Sequence, residues 1–266
     1  MISRTRATIV HLSDLHLRSA PDKGNFYDEL ADAGVRAGQL IAYIDKKYHN
    51  AHVVITGDIT DSGTPEGRAE ALRILSPIFV RERLSVVPGN HDCGTLGNYY
   101  IEERWKAFCE CFKPLWGDRV GFPWVKHVGP LAIVGLDSNV KSHGDFWATG
   151  NLGWQQLSEL ERIIGSLPPF KIPVVLLHHH PYDTEDLTEL VDAKALRACL
   201  SARLKGRSGL VLYGHKHGST VHRRSGVTYY QAPSSIVINR ARLRFRVLSV
   251  GFDGIRESWD CCPTSR

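Results

Sequence analysis

The stretch Leu84-Ser85-Val86-Val87-Pro88-Gly89-Asn90-His91-Asp92 joins a short apolar run directly to an amide, an imidazole and a carboxyl group. An apolar-rich run that stops at a Pro-Gly pair predicts a short buried strand followed by a turn. In open α/β sheets, ligands bind beyond the carboxyl ends of the strands. The polar side chains after Val87 therefore predict a functional site at that end of a sheet.

Four other stretches of the 266-residue chain repeat this arrangement. They are Asp14-Leu15-His16, Gly57-Asp58, His178-His179-His180 and Gly214-His215-Lys216-His217. Each follows an apolar run rich in β-branched residues, at positions 7–12, 52–56, 172–177 and 209–213. Helix-like segments separate the runs, a pattern that predicts parallel strands. We therefore expect all five stretches to converge on one metal site.

The order of these motifs resembles that of the calcineurin-like metallophosphoesterase superfamily, whose pattern is D-x-H, G-D, G-N-H-D/E, H and G-H-x-H. Every element is present between residues 7 and 217 without a substitution. Leu136-Asp137-Ser138, Gly150-Asn151-Leu152-Gly153 and Gln156-Leu157 are similar to the branch containing class III cyclic-nucleotide phosphodiesterases and glycerophosphodiesterases. The resemblance implies an α/β fold, a four-layer αββα sandwich of two mixed β-sheets flanked by helices.

The resemblance also implies a dinuclear metal site. It assigns one metal to Asp14, His16, Asp58 and His217, and the other to Asp58, Asn90, His178 and His215. A carboxylate has enough lone pairs to bind two cations, so Asp58 is the candidate bridge. Successive side chains of a strand alternate in direction, so we expect a single ligand from the three adjacent histidines. The resemblance assigns this ligand to the first of them, His178. Oxygen and imidazole ligands without cysteine fit two divalent ions of Mn, Fe, Zn or Co.

Catalytic and substrate-binding residues are expected near these ligands. By resemblance, His91 contacts the phosphate and protonates the leaving oxygen, and we expect Asp92 to orient its ring. Asp61 and Asp137 are at most supporting residues, since short acidic residues after strands more often cap or form turns. Three aromatic residues outside the motifs are candidate substrate contacts: Tyr99, Trp147 and Tyr182.

The activity implied by the resemblance is that of a phosphodiesterase, a metal-dependent hydrolase that acts on a small phosphodiester. A hydroxide that bridges the metals would attack a cyclic nucleotide or a glycerophosphodiester. A phosphomonoesterase or a nuclease on the same dinuclear site is the alternative. A non-catalytic metal-binding scaffold is a third hypothesis, which the presence of His91 and all ligand positions disfavours.

Composition limits the partners and the organisation of the chain. No linker interrupts the motifs, so we expect one domain over residues 1–266, with a motif-bearing core of about 7–235 and C-terminal strands and a tail over 236–266. The net charge is +5, and alternation from Arg242 to Arg246 predicts a strand with a solvated arginine face. That interpretation is favoured over a nucleic-acid surface, because no aromatic stacking array accompanies the arginines.

Hydropathy indicates no membrane partner. No run reaches the roughly 18 apolar residues of a membrane helix. The first apolar run is too short for a signal peptide, so we expect a cytoplasmic protein. Six cysteines lack the spacing of a disulfide framework, and Cys261-Cys262 falls in the predicted tail. The sequence leaves open whether the protein forms a homo-oligomer.

Local patterns predict the remaining elements. Helices are expected over 26–48, over 65–83 with Thr64 as the cap before Pro65, and over 99–112. Residues 209–250 are expected to form a strand meander with a hairpin turn at Arg224-Ser225-Gly226.

Overall fold

The computed structural model describes residues 6–18, 32–80, 82–95, 99–117, 121–139, 148–182, 189–236 and 242–263. The strands are β1 (Ala7–Leu12), β2 (His52–Thr56), β3 (Leu84–Val87), β4 (Gly94–Thr95), β5 (Tyr99–Tyr100), β6 (Trp124–Val128), β7 (Leu131–Gly135), β8 (Ile172–Leu176), β9 (Gly209–Tyr213), β10 (Val221–Arg224), β11 (Val227–Gln231), β12 (Arg242–Gly251) and β13 (Gly254–Pro263). The helices are α1 (Ala33–Lys47), α2 (Pro65–Leu75), α3 (Asn90–Cys93), α4 (Glu102–Phe112), α5 (Gly153–Ser166) and α6 (Ala193–Arg203).

Two mixed sheets form the centre of the fold. The first sheet has the strand order β13-β12-β1-β2-β3, in which β1, β2 and β3 are parallel and β12 is antiparallel to both its neighbours. The second has the order β10-β11-β9-β8-β7-β6, in which β11, β9, β8 and β7 are parallel. The edge strands β10 and β6 are antiparallel to their neighbours. The predicted pair of mixed sheets is confirmed.

Three apolar clusters divide the fold into four layers. One cluster packs α1, α2 and α4 on the outer face of the first sheet, through side chains such as Leu40, Leu75 and Phe108. A second packs α5 and α6 on the outer face of the second sheet. The third lies between the sheets, where Ile9 and Val54 of the first meet residues such as Leu176 of the second. The predicted αββα sandwich is therefore confirmed.

Several helix limits differ from the predictions. The predicted start of the helix over 26–48 lies outside the described residues up to position 31, and α1 begins at Ala33. Thr64 caps α2 as predicted, since its Oγ1 accepts a hydrogen bond from the Gly67 amide at 3.1 Å. That helix ends at Leu75 rather than at residue 83, because Pro77 cannot continue an α-helix and a 3₁₀ turn follows. No helix in the described ranges is long and apolar enough to cross a membrane.

The last quarter of the chain departs further from the prediction. The hairpin turn at Ser225-Gly226 is confirmed, with positive φ at both residues. The meander over 209–250 is wrong, because β11 pairs in parallel with β9 and β12 belongs to the first sheet. Cys261-Cys262 is part of β13 rather than a tail, since β13 pairs along the whole of β12.

The arginine face of β12 is not uniformly solvated. Arg246 is fully buried, forms an ion pair with Glu257 and stacks on the rings of Tyr230 and Trp259. Its Nη2 also donates to the carbonyl of Gln231 at 2.7 Å. The guanidinium of Arg246 therefore joins the first sheet to the end of β11 in the second sheet.

Candidate metal centre

All five polar stretches lie at the carboxyl ends of their strands. Asp14 and Asp58 each lie two residues after the last residue of β1 and β2, and Asn90 lies three residues after β3. His178 and His215 each lie two residues after β8 and β9. The first sheet thus supplies the carboxylates and the amide, and the second sheet supplies most of the imidazoles.

The backbone turns sharply at these positions. Among the described non-glycine residues, six have positive φ, and five of the six are predicted ligands: Asp14 (55°), His16 (45°), Asp58 (50°), His215 (75°) and His217 (51°). Residues other than glycine adopt this region at an energetic cost, and such strain concentrates at functional sites. Gly57 permits the turn before Asp58, because a Cβ there would lie 2.4 Å from Nδ1 of His178.

Asp14, His16 and His217 form what we call the first cluster. Nε2 of His16 lies 3.3 Å from Nε2 of His217. Nε2 of His217 lies 3.4 Å from Oδ1 of Asp14. One ligand atom from each of the three residues lies within 4.8 Å of the others. Electron-rich atoms of two imidazoles and a carboxylate therefore point at a common centre.

Asp58, Asn90, His178 and His215 form the second cluster, which is centred on Nε2 of His178. That atom lies 3.0 Å from Oδ1 of Asn90 and 3.1 Å from Nδ1 of His215. It lies 3.3 Å from Oδ2 of Asp58. A neutral amide oxygen, a carboxylate oxygen and two imidazole nitrogens thus converge, in the combination that the sequence predicted.

Asp58 lies between the two clusters. Its Oδ2 is 3.3 Å from Nε2 of His178 in the second cluster and 3.9 Å from Nε2 of His16 in the first. Its Oδ1 accepts a hydrogen bond from the His91 amide at 3.0 Å. This hydrogen bond fixes the rotation of the carboxylate, so that one oxygen remains directed at both clusters.

Hydrogen bonds behind the clusters set which imidazole nitrogen faces inward. Nδ1 of His178 donates to the carbonyl of Thr56 at 2.7 Å, so Nε2 is directed at the cluster. Burial opposes protonation of His178, but the Asp58 carboxylate outweighs it and raises the pKa of His178 to about 9. Burial likewise opposes ionisation of Asp58, yet the surrounding histidines hold its pKa well below the usual value. The centre is built to accept positive charge.

The donor set fits two divalent metal ions. Carboxylate, amide and imidazole donors without a thiolate suit Mn, Fe, Co or Zn. Converging lone pairs repel one another unless a cation lies among them. A shared carboxylate oxygen between two such groups is the arrangement that a dinuclear centre requires.

A family model for the calcineurin-like phosphoesterases matches residues 7–219. The match covers both clusters and the strands that carry them. The chain belongs to the calcineurin-like phosphoesterase family. It is therefore a metal-dependent phosphoester hydrolase, in agreement with the predicted family and enzyme class.

Curated members of the family with similar sequences carry phosphodiesterase names. A probable cyclic nucleotide phosphodiesterase from Rhodococcus erythropolis is 28% identical over 240 residues, which are 87% of this chain and 72% of that protein. A probable glycerophosphodiester phosphodiesterase from Arcobacter nitrofigilis is 30% identical over 178 residues, or 65% of this chain. The match covers 56% of the length of that second relative.

Solved structures of the family show the same fold. A dimetal phosphatase from Danio rerio superposes with a TM-score of 0.69 at 14% sequence identity, over 97% of this chain and 99% of that one. At this identity the likeness shows the fold alone. It is consistent with the layers and sheet orders described above.

The structure does not bring the Asp92 carboxylate to the His91 ring. The Asp92 carboxylate accepts hydrogen bonds from the amides of Ile59 at 3.2 Å and Thr60 at 2.8 Å, so it joins two loops. The His91 ring instead contacts Asp61, whose carbonyl lies 2.7 Å from Nδ1 of His91. Asp92 is short and reaches back to the start of its own helix, as a residue of the first helical turn does.

Asp61 has a larger role than a cap or turn former. Its Oδ1 lies 3.5 Å from Nδ1 of His16, and its Oδ2 lies 2.8 Å from Nε of Arg18. The rings of His16 and His91 meet edge to face at 4.7 Å. Asp61 therefore contacts both a candidate ligand and the candidate acid, and the only signal for it in the sequence is its position three residues after Asp58.

Two of the three candidate substrate residues lie in the described part of the chain, and their surroundings differ. Trp147 lies outside the described residues. Tyr99 is 42% exposed and lies in β5, which pairs with the strand that follows α3. The Tyr182 ring stacks on His222 at 4.4 Å, lies below Arg197 at 4.8 Å and meets Tyr229 edge to face. These contacts occupy the faces of Tyr182, so the structure places it in packing rather than against a substrate base.

Ser138 and Gly150, which were not candidate site residues, pack against His178 and His179, the first two histidines after β8. Oγ of Ser138 lies 2.8 Å from Nδ1 of His179 and accepts from the His178 amide at 3.3 Å. Gly150 packs on the same imidazole, since a Cβ there would lie 2.4 Å from Cγ of His179. Both residues belong to stretches that resemble the phosphodiesterase branch, which was the available signal. Nothing in the sequence indicated that the Thr56 carbonyl would contact His178.

Proposed function

We propose that this protein is a phosphodiesterase that hydrolyses a small phosphodiester, either a cyclic nucleotide or a glycerophosphodiester. The observation that carries the proposal is the position of the Asp58 carboxylate oxygen between two groups of converging donors. The names of the relatives from Rhodococcus erythropolis and Arcobacter nitrofigilis support the choice of a diester.

The proposed ligands follow the two clusters. Asp14, His16, Asp58 and His217 would hold one divalent ion, and Asp58, Asn90, His178 and His215 would hold the other. When bound, two such ions polarise phosphoryl oxygens and lower the pKa of a water molecule between them. Asn90 contributes an oxygen without a charge, so it does not repel the anionic phosphate.

His91 is the proposed source of the proton for the leaving group. Its amide donates to Asp58 and its Nδ1 contacts the Asp61 carbonyl, so the ring is fixed at both the backbone and one nitrogen. When both ring nitrogens carry a proton, Nε2 of His91 would give its proton to the leaving alkoxide, which becomes an alcohol, and the neutral ring would keep its Nδ1 proton on the Asp61 carbonyl. The His91 side chain is 21% exposed, which allows a substrate to reach it.

The first test compares a diester with a monoester. Purified protein with Mn²⁺ is assayed on bis-p-nitrophenyl phosphate and on p-nitrophenyl phosphate, with a chelator-treated sample beside it. A chelator-sensitive preference for the diester supports the proposal, and Asn90→Ala should abolish most of the turnover. Preference for the monoester would make the enzyme a phosphatase, and no turnover with any metal would favour a scaffold.

The nuclease alternative has a separate signature. A nuclease would bind single-stranded DNA with an affinity that falls steeply as salt is added, because each phosphate contact releases counterions. Salt-insensitive or absent DNA binding, together with turnover of the diester, supports the small-substrate assignment.

A further inference from the structure

Three consecutive backbone carbonyls after Asp58 hold three cationic or ionisable side chains. The Asp61 carbonyl contacts Nδ1 of His91 at 2.7 Å, the Ser62 carbonyl accepts from Nη1 of Arg104, and the Gly63 carbonyl accepts from Nη1 of Arg68. Arg104 also donates to the Gly94 carbonyl at 2.9 Å. One loop thus anchors two guanidinium groups and the candidate catalytic histidine.

Arg68 and Arg104, which we call the arginine pair, have no acidic partner in the part of the chain that the structure describes. Each contacts only carbonyl oxygens among the described residues, which hold it in place without neutralising it. Arg73 and Arg203, by contrast, are neutralised, since Arg73 pairs with Glu70 and Arg203 pairs with Glu161. Burial, and after it the charge of Arg68, lower the pKa of Arg104.

The arginine pair lies close to the candidate reaction centre. Its anchoring carbonyls are one and two residues from the carbonyl that contacts His91. Two residues of extended chain span at most about 7 Å. The carbonyls that anchor the pair therefore lie within about 7 Å, roughly the length of one sugar, of the carbonyl that contacts His91.

We propose that Arg68 and Arg104 bind a second phosphate, and that the substrate is a small phosphodiester carrying this phosphate one sugar away from the bond that is cleaved. The inference rests on the proposed function and narrows its substrate class to phosphodiesters with a second phosphate, which excludes a simple cyclic nucleotide because it has a single phosphate. Guanidinium groups recognise phosphate through paired, charge-assisted hydrogen bonds. Two arginines suit one phosphate, whereas a nucleic acid requires a longer series of phosphate contacts.

The test uses two substrates that differ only in the second phosphate. The p-nitrophenyl ester of thymidine 5′-phosphate is compared with the same ester carrying a 3′-phosphate, both with Mn²⁺ and the full chain. We expect kcat/KM to be roughly tenfold higher for the 3′-phosphorylated ester, mainly through KM, which is about 1.4 kcal/mol of binding. In Arg68→Gln/Arg104→Gln the ratio of the two kcat/KM values should fall close to one.

Arg207→Gln is the matched control. Among the described residues, Arg207 also contacts only carbonyls, those of Pro168 and Lys171, but it lies near the start of β8, at the opposite end of that strand from His178. Arg207→Gln should keep the tenfold ratio. If the double variant does not fold, the single variant Arg68→Gln, which removes one contact to Gly63, must still lower the ratio.

The outcomes separate this inference from the proposed function. A ratio near one in the unmodified enzyme, or an unchanged ratio in the arginine variants, overturns the phosphate site while leaving the phosphodiesterase intact. A higher kcat/KM for an octathymidylate than for the 3′-phosphorylated ester overturns the small-substrate assignment. Absence of chelator-sensitive turnover of both esters overturns the proposed function, and this inference with it.

Discussion

His52 and His178 are both buried, at opposite ends of the sandwich, yet their surroundings differ in kind. His52 begins β2, and each ring nitrogen has one partner: Nδ1 lies 2.9 Å from the Glu82 carbonyl and Nε2 lies 2.8 Å from Oγ of Ser85. Burial lowers the pKa of His52 to about 4. His52 is therefore a neutral, satisfied part of the core.

One ring nitrogen of His178 has a single hydrogen-bond partner, and the other faces several donor atoms. Nδ1 donates to Thr56, while Nε2 faces oxygen or nitrogen atoms of Asp58, Asn90 and His215. The pKa of His178 is raised to about 9, the opposite direction from His52. The difference teaches that burial alone does not mark a metal site; several electron pairs directed at one point do.

The largest expected effect comes from a substitution in the candidate metal centre. Asp58→Asn removes the charge that both clusters share, so we expect kcat/KM on bis-p-nitrophenyl phosphate to fall by about 10³-fold, about 4 kcal/mol. Bound metal per chain, measured by mass spectrometry, should fall with it. Asp45→Asn is the control, because Asp45 pairs with Arg83 outside the centre. More than a tenth of the activity left in Asp58→Asn would contradict the shared role.

The second prediction concerns His52, at the opposite end of the sandwich from the metal centre. The pKa of His52 is about 4 in the folded chain against its ordinary value of 6.5, so the unfolded chain takes up the proton first as the pH falls. Its contribution to stability is complete above about pH 6.5 and is lost progressively down to about pH 4. The stability difference between the unmodified protein and His52→Gln should therefore shrink by on the order of 3 kcal/mol between pH 7.5 and pH 4.

Urea denaturation at both pH values measures that difference. His49→Gln alters an exposed histidine and should leave the pH dependence of unfolding unchanged. A difference between His52→Gln and the unmodified protein that is constant with pH would show that His52 is not buried in its neutral form.

The third prediction concerns both ends together. Each Mn²⁺ at 100 times its Kd should raise the free energy of unfolding by about 2.7 kcal/mol, because a ligand that binds only the folded state stabilises it. His52→Gln should show the full increase, and His178→Ala should lose the share of the ion in the second cluster. Thermal melts with and without a chelator measure it, and an equal increase in His178→Ala would show that His178 holds no ion.

The smallest expected effect sharpens the comparison by altering a residue behind the ligands. Asp61→Asn weakens the contact that orients His16, and it leaves the carbonyl that contacts His91 in place. We expect metal affinity, measured by chelator competition, and kcat/KM to fall 10–100-fold. Unchanged metal affinity with lowered turnover would assign Asp61 to His91 alone.

The parallel strands of the fold were predictable because their apolar runs end at unmistakable turns. Residues 52–56 and 209–213 are β2 and β9 as predicted, and Gly209 begins its strand where the pattern indicated. The pairing of β11 with β9 was not predictable, because both are apolar runs that fit either neighbour. The hairpin of β12 and β13 was missed because its turn, Phe252-Asp253, lacks the usual Asn-Gly or Asp-Gly signal at its centre.

The candidate site was predictable as a set of residues but not as a set of contacts. Because each motif follows a parallel strand, the sequence predicted that Asp14, Asp58 and His178 would lie at one edge of the sheets. The structure places them there. The support by Asp61 and Thr56 depends on loop contacts between positions far apart in the chain, such as Thr56 with His178. Those contacts are set by sheet packing, which no local pattern encodes.

Each cluster takes donors from both sheets: His217 follows β9 but joins Asp14 and His16, which follow β1. Neither half of the sandwich could hold an ion tightly by itself, so full affinity would arise only after the two halves dock. Metal uptake during refolding should therefore lag behind formation of the individual sheets. The ions would then stabilise the contact between the two sheets late in folding. Their release would mark the first separation of the sheets during unfolding.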